Sequence, residues 1–313
     1  QPLVIDTAII IFFGFLNILN IRIGSSIQKG FIVLKLIPIL FVIVVALFLF
    51  MPTNYTSSAL IWSGIPGTIP FVLFAFSGFE AVCSLSQSID RPEKNGPRAI
   101  YLAFGIVLTL TVLYQTSFFG ILGMQLAHLT SFRQTYPVLL NMLFVPASAL
   151  YQFFSAITLL GIAASSLGAS YGILYSNSWN LYTLAQSHHI PFFRFFGTLN
   201  RHRIPLMCVF IEVIAALGYL WLSQGNQVPL QQISACGSTI AYSLSAVVFC
   251  YLSFWVTQRY RLLSFLSLLS CSILLWALFQ NGRQFGAQAY MLFSLILLAG
   301  TILFIIQRKT KLA

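Results

Sequence analysis

The segment FAFSGFE, residues 74–80, places Ser77, Gly78 and Glu80 among phenylalanines in the middle of a long apolar run. The chain has only five acidic residues in 313, so a carboxylate at this place stands out. A charged side chain at the centre of a membrane helix costs about 2.5–3.5 kcal/mol and is rarely kept without a role. If the surrounding run crosses a membrane, Glu80 marks a candidate functional site.

The composition is that of a membrane protein. Hydrophobic residues make up 58% of the chain, charged residues 7%, and the mean hydropathy is +0.91. An ordinary soluble domain has about 25% charged residues. Apolar runs of about 20 residues, the length that crosses a bilayer as a helix, recur without the alternation typical of barrel strands. We therefore predict an all-α membrane protein.

Nine membrane-spanning helices are predicted, over residues 3–19, 30–50, 69–86, 99–122, 147–184, 205–222, 229–255, 262–279 and 287–306. Thirteen of the sixteen Lys and Arg residues fall in alternate loops, as the positive-inside rule requires. They are Arg22, Lys29, Arg91, Lys94, Arg98, Arg194, Arg201, Arg203, Arg259, Arg261, Arg308, Lys309 and Lys311. This pattern predicts a multi-pass plasma-membrane protein with a cytoplasmic C-terminus. Because the basic residues are distributed over alternate loops and not gathered on one face, the net charge of +11 does not indicate a nucleic-acid partner.

Ser77 and Gly78 lie near the middle of the third span, where glycine weakens a helix by about 1 kcal/mol relative to alanine. Backbone freed at that depth is tolerated where it lines a cavity enclosed by protein. The unpaired N–H and C=O groups of a broken helix suit the carboxylate and ammonium of an amino acid. The alternative is that the glycine only lets a neighbouring helix approach closely.

These residues resemble the amino acid, polyamine and organocation transporter superfamily. The sixth helix of that family carries F-x-F-x-G-x-E at its unwound point, followed by a cytoplasmic loop K-N-P-x-R-x-x-P-R-A-I. Here FAFSGFE is followed at residues 90–100 by DRPEKNGPRAI, in which the closing Pro-Arg-Ala-Ile is intact and the order of Asn, Pro and Lys is altered. The resemblance extends to residues 17–48 and to Tyr182–Pro191, where Gln186, Ser187 and His188 replace the family's Arg-Asp-Gly.

The resemblance implies a LeuT-like inverted-repeat fold in one transmembrane domain, residues 1–313. The nine spans would be the family's helices four to twelve. Residues 1–50 would end the first repeat, residues 66–256 would form the second five-helix repeat, and residues 257–313 would supply the last two helices. The first three helices, including one that normally completes the substrate site, would then be missing, so the chain as given should not transport by itself.

Candidate substrate-binding residues follow from this alignment: Phe74, Ala75, Phe76, Ser77 and Gly78. Phe74 aligns with the aromatic residue that closes over bound substrate in the family. Glu80 is the candidate coupling carboxyl, because a buried acid can take up a proton and release it when the cavity opens to water. The alternative role for Glu80 is structural, as a carboxyl that bonds to the broken backbone.

Lys35 is the second candidate coupling residue. In proton-coupled relatives the matching lysine occupies the place where sodium-coupled members of the fold bind an ion. The resemblance implies that the Lys35 ammonium replaces that ion and meets the hydroxyls of Ser165 and Ser166. The alternative is that Lys35 snorkels to the cytoplasmic headgroups.

We do not expect an enzyme. Residues 168–172 match the G-x-S-x-G pattern of esterases but lie in an apolar helix, where small residues at this spacing favour helix packing. The five cysteines match no metal or disulfide spacing, and no cofactor is expected.

The sequence therefore predicts a secondary active amino acid permease, coupled to protons rather than sodium, that works by alternating access around a midplane site in span 69–86. Two alternatives remain open. One is a polyamine or cationic amino acid exchanger, and the other is a degenerate membrane protein that does not transport. The substrate, the choice of symport or antiport and the oligomeric state are not specified by these patterns.

Overall fold

A computed structural model describes residues 2–19, 21–56, 62–84, 89–129 and 134–312. All regular secondary structure in these ranges is helical. The α-helices are α1 Pro2–Leu19, α2 Ile21–Leu49, α3 Thr53–Thr56, α4 Ile65–Phe76, α5 Ala81–Ser84, α6 Pro92–Leu122, α7 Thr135–Leu143, α8 Ala149–Gln186, α9 Phe193–Phe196, α10 Leu206–Leu222, α11 Gln227–Tyr251, α12 Arg261–Phe285 and α13 Gln288–Leu312. Short 3₁₀ helices span Trp62–Gly64 and Gly123–His128, and a π-helical turn extends α11 through Leu252–Val256.

Six helical stretches of the described chain are long and apolar enough to cross a membrane. They are Gly24–Leu49, Trp62–Cys83, Pro92–His128, Ala149–Gln186, Gln227–Val256 and Arg261–Phe285. Three further apolar helices are shorter, at Leu3–Leu19, Leu206–Leu222 and Gln288–Ile302. Each of these stretches overlaps one of the nine predicted spans, and six of them meet the length and hydropathy required of a membrane helix.

Several helices begin earlier than hydropathy predicted. Helix α2 begins at Ile21, so Gly24 and Lys29 lie inside a helix and not in a loop, and α6 begins at Pro92. A helix can continue past the hydrocarbon core because its backbone hydrogen bonds are internal, whereas hydropathy marks only the apolar part. Proline at the first position of α6 is favoured, since its missing N–H would have no helical acceptor there. Ser86, the end of the predicted span 69–86, lies outside the described residues.

The helices form two packing groups. In the first group α2 packs against α8 and α6, and α10 packs against α1 and α8. In the second group α12 packs against α4 and α11, and α11 also packs against α13. The broken helix lies between the groups, because α4 packs mainly with α11 and α12 while α5 contacts α6 and α8.

Close contact between α2 and α8 depends on glycine. A Cβ added at Gly168 would lie 2.7 Å from Cβ of Phe31, and one at Gly161 would lie 2.5 Å from the Pro38 ring. The two helices are therefore antiparallel, since the contact nearer the end of α2 is nearer the start of α8. Gly168 belongs to this interface, so the packing interpretation of residues 168–172 is supported.

Candidate functional site

The predicted interruption of the helix is present. Helix α4 ends at Phe76, Ser77 is extended with φ −67° and ψ 155°, and the chain becomes helical again at Ala81. Gly78 has φ +115°, a conformation that residues with a Cβ rarely adopt. The Ser77 backbone N–H and hydroxyl both donate to the Phe74 carbonyl, at 3.2 and 2.6 Å. Ser77 and Gly78 thus supply the cap and the backbone conformation that end α4.

Glu80 folds back onto the break. The backbone N–H of Gly78 donates to Glu80 Oε2 at 2.8 Å, so the carboxylate accepts from a backbone donor at the point where the helix is interrupted. Gly78 is exposed, and a Cβ placed on it would have no neighbour within 4 Å. The bond from Gly78 to Glu80 is the contact expected of a structural carboxyl, and the coupling role of Glu80 stays a prediction.

An aromatic cluster surrounds the break. The Phe79 ring lies 5.8 Å from the Phe104 ring, edge to face, and stacks on Tyr242 at 6.2 Å between centroids. Phe76 also packs against Phe104, at 5.8 Å. Of the five predicted substrate residues, Phe74, Phe76 and Ser77 are half-buried, and Ala75 and Gly78 are exposed.

Two hydroxyls of α11, those of Thr239 and Tyr242, lie near the break, and neither residue was among the predicted site residues. Leu73 of α4 packs against the cluster that contains Ala235 of α11, and Phe79, after the end of α4, stacks on Tyr242 of α11. The later of these two residues along the chain thus meets the later residue of α11, so the two helices run in the same direction. This alignment places Thr239 beside the end of α4. Thr239 is completely buried, and its hydroxyl and that of Tyr242 have no hydrogen-bond partner in the described structure.

The stacking of Phe79 on Tyr242 places Tyr242 beside the segment that carries Glu80. A groove of about 510 Å³ between α11 and α12 extends from Tyr242 past Ser245 and Ser267. The available sequence signal was the three-residue spacing of Thr239 and Tyr242 within an apolar span, which puts both on one helix face.

This arrangement can bind a small zwitterion. The last-turn carbonyls of an α-helix lack helical donors, so the end of α4 offers acceptors for an ammonium group. The Thr239 and Tyr242 hydroxyls can each donate to a carboxylate. Buried polar groups are normally paired, and two unpaired hydroxyls beside a helix break are a feature expected of a ligand site. Among the described residues, no group of three or more His, Cys, Asp or Glu side chains could hold a metal ion.

Lys35 lies on α2, the helix that packs against α8. It is half-buried near the middle of the apolar stretch Gly24–Leu49, between the contacts that Phe31 and Pro38 make with α8. Helical spacing puts Ser165 at the same level of α8, between Gly161 and Gly168.

The structure does not complete the predicted Lys35 site. In the part of the chain that it describes, no hydrogen bond joins Lys35 to either serine. Ser165 is exposed. Ser166 is one residue further round the helix and faces away from α2, and its carbonyl accepts a bond from the Ser170 hydroxyl at 3.0 Å. The pairing of Lys35 with Ser165 and Ser166 stays a prediction.

Known proteins resemble this chain over most of its length. A family profile described as "amino acid permease" matches residues 2–306. Three curated relatives, from Mycobacterium bovis and two strains of Mycobacterium tuberculosis, are each called "uncharacterized transporter". Each is 24% identical to this chain over 219 residues, covering 69% of this chain and 47% of the relative. The chain therefore spans about half the length of the curated relatives that it matches.

Proposed function

This chain belongs to the amino acid permease family, and from that premise we propose that it serves in secondary active transport of an amino acid across a membrane. The observation that carries the proposal is the break at Ser77–Glu80 in a helix long and apolar enough to span a bilayer. Discontinuous membrane helices supply the substrate sites of many secondary transporters, because their free backbone groups bind charged ends of a substrate.

In this proposal the substrate ammonium binds the free carbonyls at the end of α4, beside Phe74. The substrate carboxylate takes hydrogen bonds from the break and from the hydroxyls of α11, of which Tyr242 and Thr239 are unpaired in the described structure. The site is thus made by one broken helix and its parallel neighbour. A neutral amino acid fits best, since Glu80 is the one carboxylate at the break and already accepts a bond from Gly78.

Glu80 links the substrate site to protons. As a carboxylate it holds the Gly78 N–H, and on protonation that charge-assisted bond weakens and the N–H becomes free for the substrate. Protonation would therefore change the break itself. Alternating access follows if one packing group moves against the other, exposing the break to each side of the membrane in turn.

Lys35 is proposed as a fixed cation at the place of a coupling ion. Lys35 shares a helix face with Phe31 and Pro38, which contact α8, whereas a snorkelling lysine would lie near the end of the apolar stretch. On the same family basis we propose a LeuT-like inverted repeat in which the nine spans are helices four to twelve.

The proposal is tested with the full-length protein in liposomes. Uptake of each of the common labelled amino acids, and of putrescine and spermidine, is measured with and without an inward proton gradient. Gradient-dependent uptake of one amino acid is the expected result. Uptake of polyamines instead would favour the exchanger alternative. If folded protein takes up none of these compounds under proton or sodium gradients, the transport proposal is wrong.

A further inference from the structure

A buried polar cluster fastens the first half of the broken helix to three other helices. Its centre is Asn281 of α12, whose side chain is completely buried. Asn281 Nδ2 donates to the Gly67 carbonyl of α4 at 2.5 Å. Its Oδ1 accepts from Gln232 Nε2 of α11 at 2.8 Å and from the Tyr290 hydroxyl of α13 at 2.7 Å.

The cluster is enclosed and its partners are specific. Gln232 is 2% exposed, and its Nε2 also donates to the Gly286 carbonyl at 3.2 Å. A side-chain amide buried without partners is costly, so a bonded network of this kind holds its members in one arrangement. One side chain, Asn281, thereby positions three helices relative to the backbone of α4.

Apolar contacts reinforce the same attachment. The Phe71 ring packs edge to face on Phe285, with centroids 5.1 Å apart. A Cβ at position 67 would meet the end of the Gln284 side chain, a flexible group that can move, so Gly67 and Gln284 are in close contact. Helix α4 therefore meets α12 through hydrogen bonds, ring packing and a glycine contact.

The second half of the broken helix is attached elsewhere. Helix α5 contacts α6 and α8, and Val82 lies beside Gly96 of α6. Between the two halves the chain runs through Ser77–Glu80, where Gly78 has open space around it. The two halves thus belong to different packing groups and are joined by an irregular segment.

We infer that Asn281 is a positioning residue that makes α4 move as one body with α11, α12 and α13. Any rearrangement of the two halves then takes place at Ser77–Glu80 and not between α4 and α12. This role goes beyond substrate binding, and its test does not require that the protein transport anything.

The test uses the full-length protein, purified in detergent, with its native cysteines replaced by serine. Ala75→Cys, an exposed position at the end of α4, reports on the first half of the broken helix. Ala169→Cys, exposed on α8, reports on the other packing group. The rate at which a maleimide labels each cysteine is measured with Asn281 and with Asn281→Asp.

The aspartate keeps the shape of asparagine, and in its ionised form it cannot donate to the Gly67 carbonyl. We expect labelling at position 75 to rise at least about threefold in Asn281→Asp while labelling at position 169 stays unchanged, because a released helix exposes its surface more often. Asn54→Asp is the matched control, since Asn54 Nδ2 donates to another glycine carbonyl, that of Gly120, at 2.9 Å. It should change neither rate.

Two results would overturn the inference. One is unchanged labelling at position 75 in folded Asn281→Asp protein, and the other is an equal rise at both reporters, which would mean general loosening. If Asn281→Asp does not fold, Tyr290→Phe decides, because it removes only one hydroxyl from the cluster and keeps the ring. If Tyr290→Phe raises the labelling rate at position 75 alone, by less than the threefold expected for Asn281→Asp, the role of Asn281 is supported. A labelling rate equal to that of the protein with Tyr290 contradicts it.

Discussion

The backbone N–H of Gly78 donates a 2.8 Å hydrogen bond to Oε2 of Glu80. An acid and the glycine two residues before it are thereby joined at the point where the helix is interrupted. The bond satisfies a backbone donor without a neighbouring helix, and its strength depends on the charge of the carboxylate. In the proposed coupling, protonation of Glu80 would weaken this bond.

Glu80→Gln is expected to abolish proton coupling while leaving the fold intact. The glutamine oxygen can still accept from Gly78, but the side chain cannot exchange a proton. We expect gradient-driven uptake by the full-length protein to fall by at least about tenfold, the equivalent of 1.4 kcal/mol. The thermal midpoint should change by no more than a few degrees. Glu93→Gln, at an exposed acid in the first turn of α6, is the control. Gradient-driven uptake that survives in Glu80→Gln would leave the carboxyl only its structural role.

Gly78→Ala should destabilise the break through backbone strain. At φ +115° a Cβ is strained even though no atom lies within 4 Å of its position, and such conformations cost about 1–3 kcal/mol. Thermal unfolding in detergent measures the loss. Gly105→Ala, in the middle of α6 with equally open surroundings, should instead be neutral or stabilising by roughly 0.5–1 kcal/mol. Equal midpoints for the two variants would mean that position 78 tolerates a side chain.

Gly168→Ala should separate α2 from α8. The added Cβ would lie 2.7 Å from Cβ of Phe31, an atom that cannot rotate away, so the helices must move apart. Overpacking of this kind costs about 1–3 kcal/mol, and the thermal midpoint should fall. The matched variant is Gly218→Ala on α10, where the new methyl group meets nothing within 4 Å. If Gly168→Ala is as stable as Gly218→Ala, the interface is looser than its geometry indicates.

Tyr242→Phe tests whether the Tyr242 hydroxyl binds substrate or only stabilises the fold. The ring that stacks on Phe79 is kept, and the lost hydroxyl has no partner in the described structure, so stability should hold or improve. Uptake should nevertheless fall by about tenfold or more if the hydroxyl binds substrate or interacts with Glu80. Tyr251→Phe, exposed on the same helix, should leave uptake unchanged. Normal uptake by Tyr242→Phe would remove the Tyr242 hydroxyl from the proposed site.

Lys35→Met tests the proposed fixed cation. Methionine keeps an unbranched chain at this position of α2 but removes the charge, so proton-driven uptake should be lost while the thermal midpoint is kept. Lys29→Met removes an exposed charge from the same helix and serves as the control. If both variants take up substrate like the parent, Lys35 acts only as a snorkelling lysine.

Much of the fold follows from local sequence properties. Hydropathy over windows of about 20 residues predicts membrane helices because the bilayer imposes one length on all of them. The interruption of span 69–86 was also predictable, since glycine beside serine weakens a helix locally and an acid at that depth needs a partner. Both features depend on residues that are adjacent in the chain, and the structure contains both.

The residues from distant segments were harder to predict. Nothing in the local pattern around Asn281 connects it with Gly67, which is 214 positions away, and no spacing rule pairs Thr239 with the end of α4. Lys35 and Ser165 were assigned to one place by family resemblance, and their pairing stays a prediction.

The sequence by itself determined that this chain is helical, crosses a membrane and breaks one helix at Ser77 and Gly78, because length, hydropathy and glycine act locally. Only the tertiary structure decided which helix lies beside the break and which asparagine fastens its first half. Those relationships depend on how helices pack, and packing is set by the combined shape of surfaces from separate parts of the chain.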